Sequence, residues 1–191
     1  MPLPFVPPPT QLLTGSETIP GADCSVAAFW SWAMSDLRSN TTRPLLAEFL
    51  VARALGADHR PRIEWDSCDV ITSKGLRVEV KSGGYLQSWQ QHSLSRIIFG
   101  GLRAGILDAS TNTTTAPDYN ADVYVFALFG ALTHDDYDAL DTTAWQFWVA
   151  PREIIAATQQ RQLALSRVRQ LARGPIEYTD LAQAIDEAAA P

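Results

Sequence analysis

The strongest constraint on the fold is the run Val123–Phe129, which consists of β-branched, aromatic and aliphatic side chains with no charge among them. Successive side chains of a strand point to opposite faces of a sheet. A strand can therefore be apolar throughout only when both faces are covered. The run predicts a central strand in a sheet that has other structure packed on both sides.

Patterns elsewhere predict helices and further strands around this strand. Apolar residues at helical spacing and capping residues predict helices over Ser25–Arg38, from Asn40–Thr42 to about Leu55, over Glu153–Gln160 and over Thr179–Ala189. Alternating or apolar runs predict strands over Asp69–Thr72, Leu76–Lys81, Arg96–Phe99 and Ala144–Ala150, and Ser110–Asn120 is expected to be a loop. This order predicts an α/β fold with a mixed central β-sheet flanked by helices.

Proline distribution divides the chain into two parts. Six prolines fall within residues 1–22, which predicts an extended, proline-rich N-terminal arm. Residues 23–191 are then expected to form a single domain, a size that can bury a full core.

Several classes of protein are disfavoured. No stretch reaches the length of apolar residues that a membrane span needs, and the N-terminus lacks the pattern of a signal peptide. Cys24 and Cys68 have no metal-ligand spacing, which favours a reduced, cytoplasmic protein. The net charge of -6 weighs against a protein that coats nucleic acid non-specifically.

Acidic residues are predicted to meet across a hairpin. Ser73-Lys74-Gly75 is expected to be a three-residue connection, so that Thr72 pairs with Leu76 and Asp69 lies opposite Glu79. Directly paired residues have Cβ atoms roughly 4.5–5.5 Å apart, and a shared divalent cation would offset the repulsion of two carboxylates so placed. A two-residue turn would shift the register by one residue and separate them.

Lys81 lies on the same face as Glu79, two residues further along the strand. From there it can contact an attacking water and the negative charge that develops during phosphodiester hydrolysis. The alternative is an exposed strand in which Arg77 and Lys81 form salt bridges with Glu79.

Glu48 is an acidic residue on a helix that is apolar almost all the way round. A carboxylate buried there is costly unless it binds a metal or pairs with a cation. The sequence predicts that Glu48 turns toward Asp69 and Glu79, the alternative being an ion pair with Arg53 or with an arginine from elsewhere.

The sequence resembles the D…ExK core of the PD-(D/E)xK superfamily of restriction-endonuclease-like nucleases. The matching residues are Asp69 and, after nine intervening residues, Glu79-Val80-Lys81. The preceding helix with Glu48 is similar to the superfamily's first core helix, which often supplies a further acidic residue. The strings around these residues, together with Ala121–Phe126 and Trp145–Val149, resemble an uncharacterised bacterial subgroup, so that the likeness spans roughly Ser25–Val149. One departure is Cys68, which precedes the acid where the superfamily's name has proline.

The resemblance implies Mg²⁺- or Mn²⁺-dependent phosphodiester hydrolysis. Asp69, Glu79 and the carbonyl of Val80 would hold the metal and Lys81 would orient the water, while Glu48 would bind the same metal through water or a second one. The expected substrate is DNA, with RNA as the alternative, and a restriction-like role favours a homodimer. The alternative function is a catalytically inactive nuclease-fold module.

Further residues are candidates for contacting the nucleic acid. Gln87 follows the last catalytic residue and is expected to contact metal-bound water or the substrate backbone. Trp89 is a candidate for stacking on a base. The arginines available for phosphates are Arg96, Arg103, Arg161, Arg167, Arg169 and Arg173.

Overall fold

The computed structural model describes residues 5–64 and 66–190, so the first four residues of the predicted arm, Trp65 and Pro191 lie outside the described part. The helices are α1 (Val26–Met34), α2 (Thr42–Ala54), α3 (Arg152–Ala157), α4 (Leu165–Leu171) and α5 (Leu181–Ala188). The longer strands are β4 (Arg77–Gly84), β8 (Val123–Phe129), β9 (Trp145–Pro151) and β11 (Arg173–Ile176). The two-residue strands are β1 (Thr18–Ile19), β2 (Cys24–Ser25), β3 (Val70–Ile71), β5 (Ile98–Phe99), β6 (Leu107–Asp108), β7 (Thr113–Thr114) and β10 (Leu163–Ala164).

The central sheet has five strands in the order β11-β9-β8-β4-β3. Strands β4 and β8 run parallel, and the other neighbouring pairs are antiparallel. Helices pack on the sheet, so the predicted α/β fold with a mixed central sheet flanked by helices is confirmed.

Strand β8 lies in the middle of this sheet, and every one of its side chains is buried. One face, which includes Val123 and Val125, packs in a core with α2 and α5. The opposite face, which includes Tyr124 and Phe126, packs in a second core with α3, α4, β5 and β10. The two cores explain why this run carries no charged residue, as the sequence predicted.

The hairpin of β3 and β4 has the predicted register. Val70 pairs with Val78 and Ile71 pairs with Arg77, while the N–H of Thr72 donates to the carbonyl of Leu76 at 3.0 Å. Gly75 has φ +82°, a left-handed conformation that glycine adopts without steric cost. The three-residue connection is thus confirmed, and Asp69 comes one position beyond the last paired residues, opposite Glu79.

Helix α2 is fastened to the end of β4 by a buried arginine. Arg43 is 4% exposed, and its Nη1 donates to the carbonyls of Arg38 and Leu86, both at 3.1 Å. Gly84 leaves room for it, because a Cβ there would lie 3.1 Å from Arg43 Nη1. This anchor fixes α2 relative to the strand that carries Glu79 and Lys81.

The N-terminal region differs from its prediction. Strands β1 and β2 form a small hairpin that begins within the segment expected to be extended up to residue 22. Helix α1 ends at Met34, short of Arg38, and none of its side chains is buried. The helical and strand periodicities of the sequence predict core positions for most of the tryptophans. This prediction is wrong for Trp30 and Trp32, which are exposed, and confirmed for Trp145 and Trp148, which are buried. The spacing of apolar residues predicted this helix, but it could not show whether any other part of the protein packs on it.

Two other regions contain structure that the sequence did not predict. Strand β7 lies inside the expected loop Ser110–Asn120, and it pairs with β6, which comes just before that loop. The segment from β10 through α4 to β11 adds a strand to the main sheet and pairs β10 with β5. Its elements are too short for their periodicity to be recognised. Among the described residues, no helix has both the length and the apolar character needed to cross a bilayer.

Candidate functional site

The candidate site begins with the alternation of β4. Val78 and Val80 are buried in the core with α2, so Glu79 and Lys81 project from the opposite face of the strand. Lys81 Nζ lies 2.5 Å from Glu79 Oε1, and both side chains are mostly shielded from solvent. The sequence analysis gave a salt bridge between Lys81 and Glu79 on an exposed strand as the alternative to a catalytic lysine. The salt bridge is present, but both side chains are largely shielded from solvent. Arg77 pairs with Asp122.

Asp69 reaches the same stretch of β4 from the neighbouring chain segment. Its Oδ2 accepts a hydrogen bond from the backbone N–H of Val80 at 2.7 Å. The carboxylate therefore lies beside the peptide group that joins Glu79 to Val80. The three residues predicted to act together are thus gathered around Val80, the residue whose carbonyl was predicted as a further metal ligand.

The electrostatics of this group centre on Glu79. Burial, followed by the negative charge of Asp69, raises the pKa of Glu79 to about 7 against the opposing effect of Lys81. Both effects disfavour the ionised carboxylate. A divalent cation beside the two carboxylates would relieve this penalty, since it would supply the missing positive charge.

Glu48 on α2 is paired with Arg62. Nε and Nη2 of Arg62 donate to its two carboxylate oxygens, while Arg53 pairs instead with Asp58 at 2.7 Å. Of the two ion pairs considered for Glu48, with Arg53 or with an arginine from elsewhere, the structure shows the second. Burial raises the pKa of Glu48, and the charge of Asp69 adds to this effect, so Glu48 is within electrostatic range of the site. Its predicted catalytic role stays a prediction.

The donor atoms available for a metal are few. Within residues 5–64 and 66–190, no three His, Cys, Asp or Glu side chains are grouped so that they could hold a metal ion. The predicted ligands are two carboxylates, of Asp69 and Glu79, and the carbonyl of Val80. All three are hard oxygen ligands of the type that Mg²⁺ prefers, often with waters completing its shell. The chemistry of these atoms therefore suits the ion.

A glycine loop beside Lys81 was missed by the sequence analysis. Gly101 has φ +69°, and a Cβ placed on it would lie 3.5 Å from Lys81 Nζ. The loop is held by Leu102, whose N–H donates to the carbonyl of Arg161 at 3.1 Å and whose carbonyl accepts from Tyr124 Oη at 3.2 Å. The signal in the sequence was the pair Gly100-Gly101, which permits a close approach of backbone to side chain.

The three residues predicted to touch nucleic acid lie in different environments. Gln87 is buried, and its Nε2 donates to the carbonyl of Gly84 and to Ser95 Oγ. In this conformation it stabilises the loop and leaves little surface for a substrate. Trp89 and Arg96 are exposed and accessible.

The structure also sorts the other candidate arginines. Arg173 pairs with Glu187, Arg169 lies over the ring of Trp148, and Arg103 donates to the carbonyl of Pro117. Within the described part of the chain, the arginines that form no ion pair with a carboxylate include Arg96, Arg161 and Arg167. These three keep their charge available for a phosphate.

Family relationships do not add to this picture. No protein-family model, curated protein or solved structure matches the chain. Any function is therefore inferred from the geometry around Val80 and from the physical chemistry of the residues there.

The raised pKa of Glu79 predicts how the metal-free protein responds to pH. A carboxyl group whose pKa is raised by folding stabilises the folded state fully below its unfolded value of 4.5, and this stabilisation is lost as the pH rises through about 7. In chelator, the free energy of unfolding of Glu79→Gln should therefore be close to that of the wild type at pH 4 and exceed it by about 1–3 kcal/mol at pH 8. Chemical denaturation at both pH values measures this difference, with exposed Glu153→Gln as the control. An equal difference between wild type and Glu79→Gln at the two pH values would contradict the prediction.

Proposed function

We propose that the chain is a metal-dependent nuclease of restriction-endonuclease-like fold that hydrolyses phosphodiester bonds in DNA. The observation that carries the proposal is the arrangement of Asp69, Glu79 and Lys81 around the peptide group of Val80. Two shielded carboxylates beside an ammonium group, on adjacent segments of a rigid sheet, suit a hydrolytic site better than a surface salt bridge. The resemblance to the D…ExK motif supports the same conclusion.

Asp69, Glu79 and the carbonyl of Val80 would hold Mg²⁺ or Mn²⁺. Such an ion supplies a water of lowered pKa and offsets the charge of the phosphate group. Lys81 would exchange its contact with Glu79 for one with the attacking water or with a phosphate oxygen, where its charge stabilises the transition state. Arg62 would keep Glu48 in place beside these residues, so that Glu48 acts on the site through its charge.

The substrate surface is inferred from the distribution of arginines. Residues 154–176 contain four arginines and no acidic residue, in a chain whose net charge is -6. Leu163 pairs with Phe99 in an antiparallel register, and the N–H of Leu102 donates to the carbonyl of Arg161. If the same register is followed two residues further, Arg161 lies about opposite Gly101. Because Gly101 adjoins Lys81 Nζ, the basic segment begins roughly one strand spacing, about 5 Å, from the site.

This surface predicts a specific salt dependence. Each phosphate contact contributes about -0.9 to the slope of log K against log salt for duplex DNA. Replacing Arg161 and Arg167 together by alanine should make the slope less steep by about 2 and weaken binding on every sequence alike. Fluorescence anisotropy across a salt series measures this change in Ca²⁺, which is chosen to limit cleavage.

The matched control for that experiment is Arg38→Ala/Arg53→Ala. It removes the same formal charge, but from arginines outside residues 154–176 that already pair with Asp36 and Asp58. The control should leave the slope nearly unchanged. Equal slopes for the two double variants would place the substrate elsewhere on the molecule.

The direct test of the function uses the wild-type protein. Purified protein is incubated with Mg²⁺ or Mn²⁺ and with single-stranded, duplex and branched DNA and RNA, and chelator serves as the control. Calorimetry measures metal binding separately. Cleavage of RNA but not of DNA would show that the substrate is RNA instead of the proposed DNA. Absence of both cleavage and metal binding would show that the proposed function is wrong.

A second candidate is a nuclease-fold module that binds nucleic acid without cleaving it. The ion pair between Glu79 and Lys81 favours this alternative, because each group already satisfies the other's charge. Nucleic-acid binding without turnover in any of the metal conditions would identify it.

A further inference from the structure

Helix α1 presents an apolar surface that nothing else in the described chain covers. It runs over nine residues without a charged side chain, and none of its residues is buried. Trp32 is 84% exposed and Phe29 is 47% exposed. A helix that is apolar on all sides is ordinarily buried within a protein or covered by a partner.

The helix is too short to be stable in isolation, since helices under about 12 residues are marginal in water. Its start is held by the N-terminal hairpin: the N–H of Val26 donates to the carbonyl of Glu17 and that of Ala27 to Gly15, both at 2.9 Å. Trp30 packs against Gly15. These contacts hold the helix at its beginning and leave Phe29, Trp32 and Met34 projecting outward.

The exposed apolar area is close to that of a standard protein–protein interface. Buried aromatic side chains contribute about 150–250 Å² each, so the partly exposed side chains of α1 offer on the order of 500 Å². The N-terminal arm adds further exposed apolar side chains, which are Phe5, Val6, Leu12 and Leu13. Together they approach the roughly 800 Å² per partner of a standard protein–protein interface.

The chemistry of this surface selects its occupant. Residues 24–35 carry no charge, so a charged peptide would find no counter-ion there. Helices that lie on membranes typically place Lys or Arg on a polar face, which α1 lacks. A second copy of this chain offers the same uncharged surface and can meet it about a two-fold axis without burying a charge. We propose that α1 and the arm form the interface of a homodimer.

The test is the mass of the protein in solution. Sedimentation equilibrium of the wild type at up to about 100 μM should give twice the monomer mass of 21.0 kDa. Trp32→Glu should remain folded by circular dichroism and dissociate at least about 30-fold more readily, as expected for a central tryptophan. The control Ile154→Glu, at a position 40% exposed on α3, should dimerise like the wild type.

Three outcomes would overturn the proposal. A wild type that stays monomeric at the highest concentration excludes the dimer, and a dimer that persists in Trp32→Glu excludes α1 as its interface. Co-sedimentation of the monomer with phosphatidylcholine vesicles, lost in Trp32→Glu, would assign the surface to lipid. Should Trp32→Glu not fold, the milder Phe29→Ser/Trp32→Ser variant replaces it. The result is independent of nuclease activity.

Discussion

Lys81→Ala should lower the rate of phosphodiester cleavage by about 10²–10³ while leaving metal and DNA binding nearly intact. Loss of one preorganised electrostatic contact to the transition state has this magnitude. Binding is spared because the contact becomes strong only as charge develops on the reacting phosphate. Single-turnover cleavage, calorimetry with Mg²⁺ and anisotropy with DNA measure the three quantities separately.

The chain contains its own control for this substitution. It has only two lysines, Lys74 and Lys81, and Lys74 is exposed in the turn of the same hairpin. Lys74→Ala removes the same charge and should cleave like the wild type. Lys81→Arg keeps the charge but replaces a compact ammonium by a planar guanidinium, so it should restore only part of the rate. Wild-type turnover by the Lys81→Ala variant would show that Lys81 takes no part in the reaction.

Asp69→Asn should abolish cleavage through a different cause, the loss of metal binding. Asparagine keeps an oxygen that can accept the hydrogen bond from Val80 N–H, so the substitution removes the charge with little change in backbone structure. We expect metal affinity to fall by at least about 10-fold, since even residues that only support a ligand typically cost 10–100-fold. Calorimetry with Mg²⁺ or Mn²⁺ measures this loss, and exposed Asp66→Asn is the control.

The two substitutions together distinguish an enzyme from a binding module. In an enzyme, Lys81→Ala changes the rate at a given metal occupancy, and Asp69→Asn changes the occupancy itself. In a module both would change only affinity. Metal binding by Asp69→Asn that equals the wild type would show that the carboxylate of Asp69 is not a ligand.

The parts of the molecule that local sequence determines were predicted well. The register of the hairpin follows from the turn around Gly75, because its length decides which residues face each other. The central position of Val123–Phe129 follows from apolar side chains on both faces. The hairpin register places Asp69, Glu79 and Lys81 near one another, and the central strand supports the strand that carries Glu79 and Lys81.

The parts that depend on distant contacts could not be predicted. The partner of Glu48 is Arg62, fourteen residues away and outside any helix or strand, so no periodicity pointed to it. The approach of Gly101 to Lys81 depends on the pairing of β5 with β10, which joins segments far apart in the chain. The exposure of α1 was missed because an apolar stripe normally indicates a core.

The parallel pairing of β4 with β8 has a consequence for the order in which the molecule is assembled during translation. Glu79 lies beside Tyr124, so one edge of β4 stays unpaired until the ribosome has released β8. Pairings between segments so far apart form late, since the intervening chain must first be ordered. The nascent polypeptide therefore carries Asp69, Glu79 and Lys81 on an incomplete scaffold. The proposed hydrolytic activity would arise only after synthesis has passed well beyond these residues.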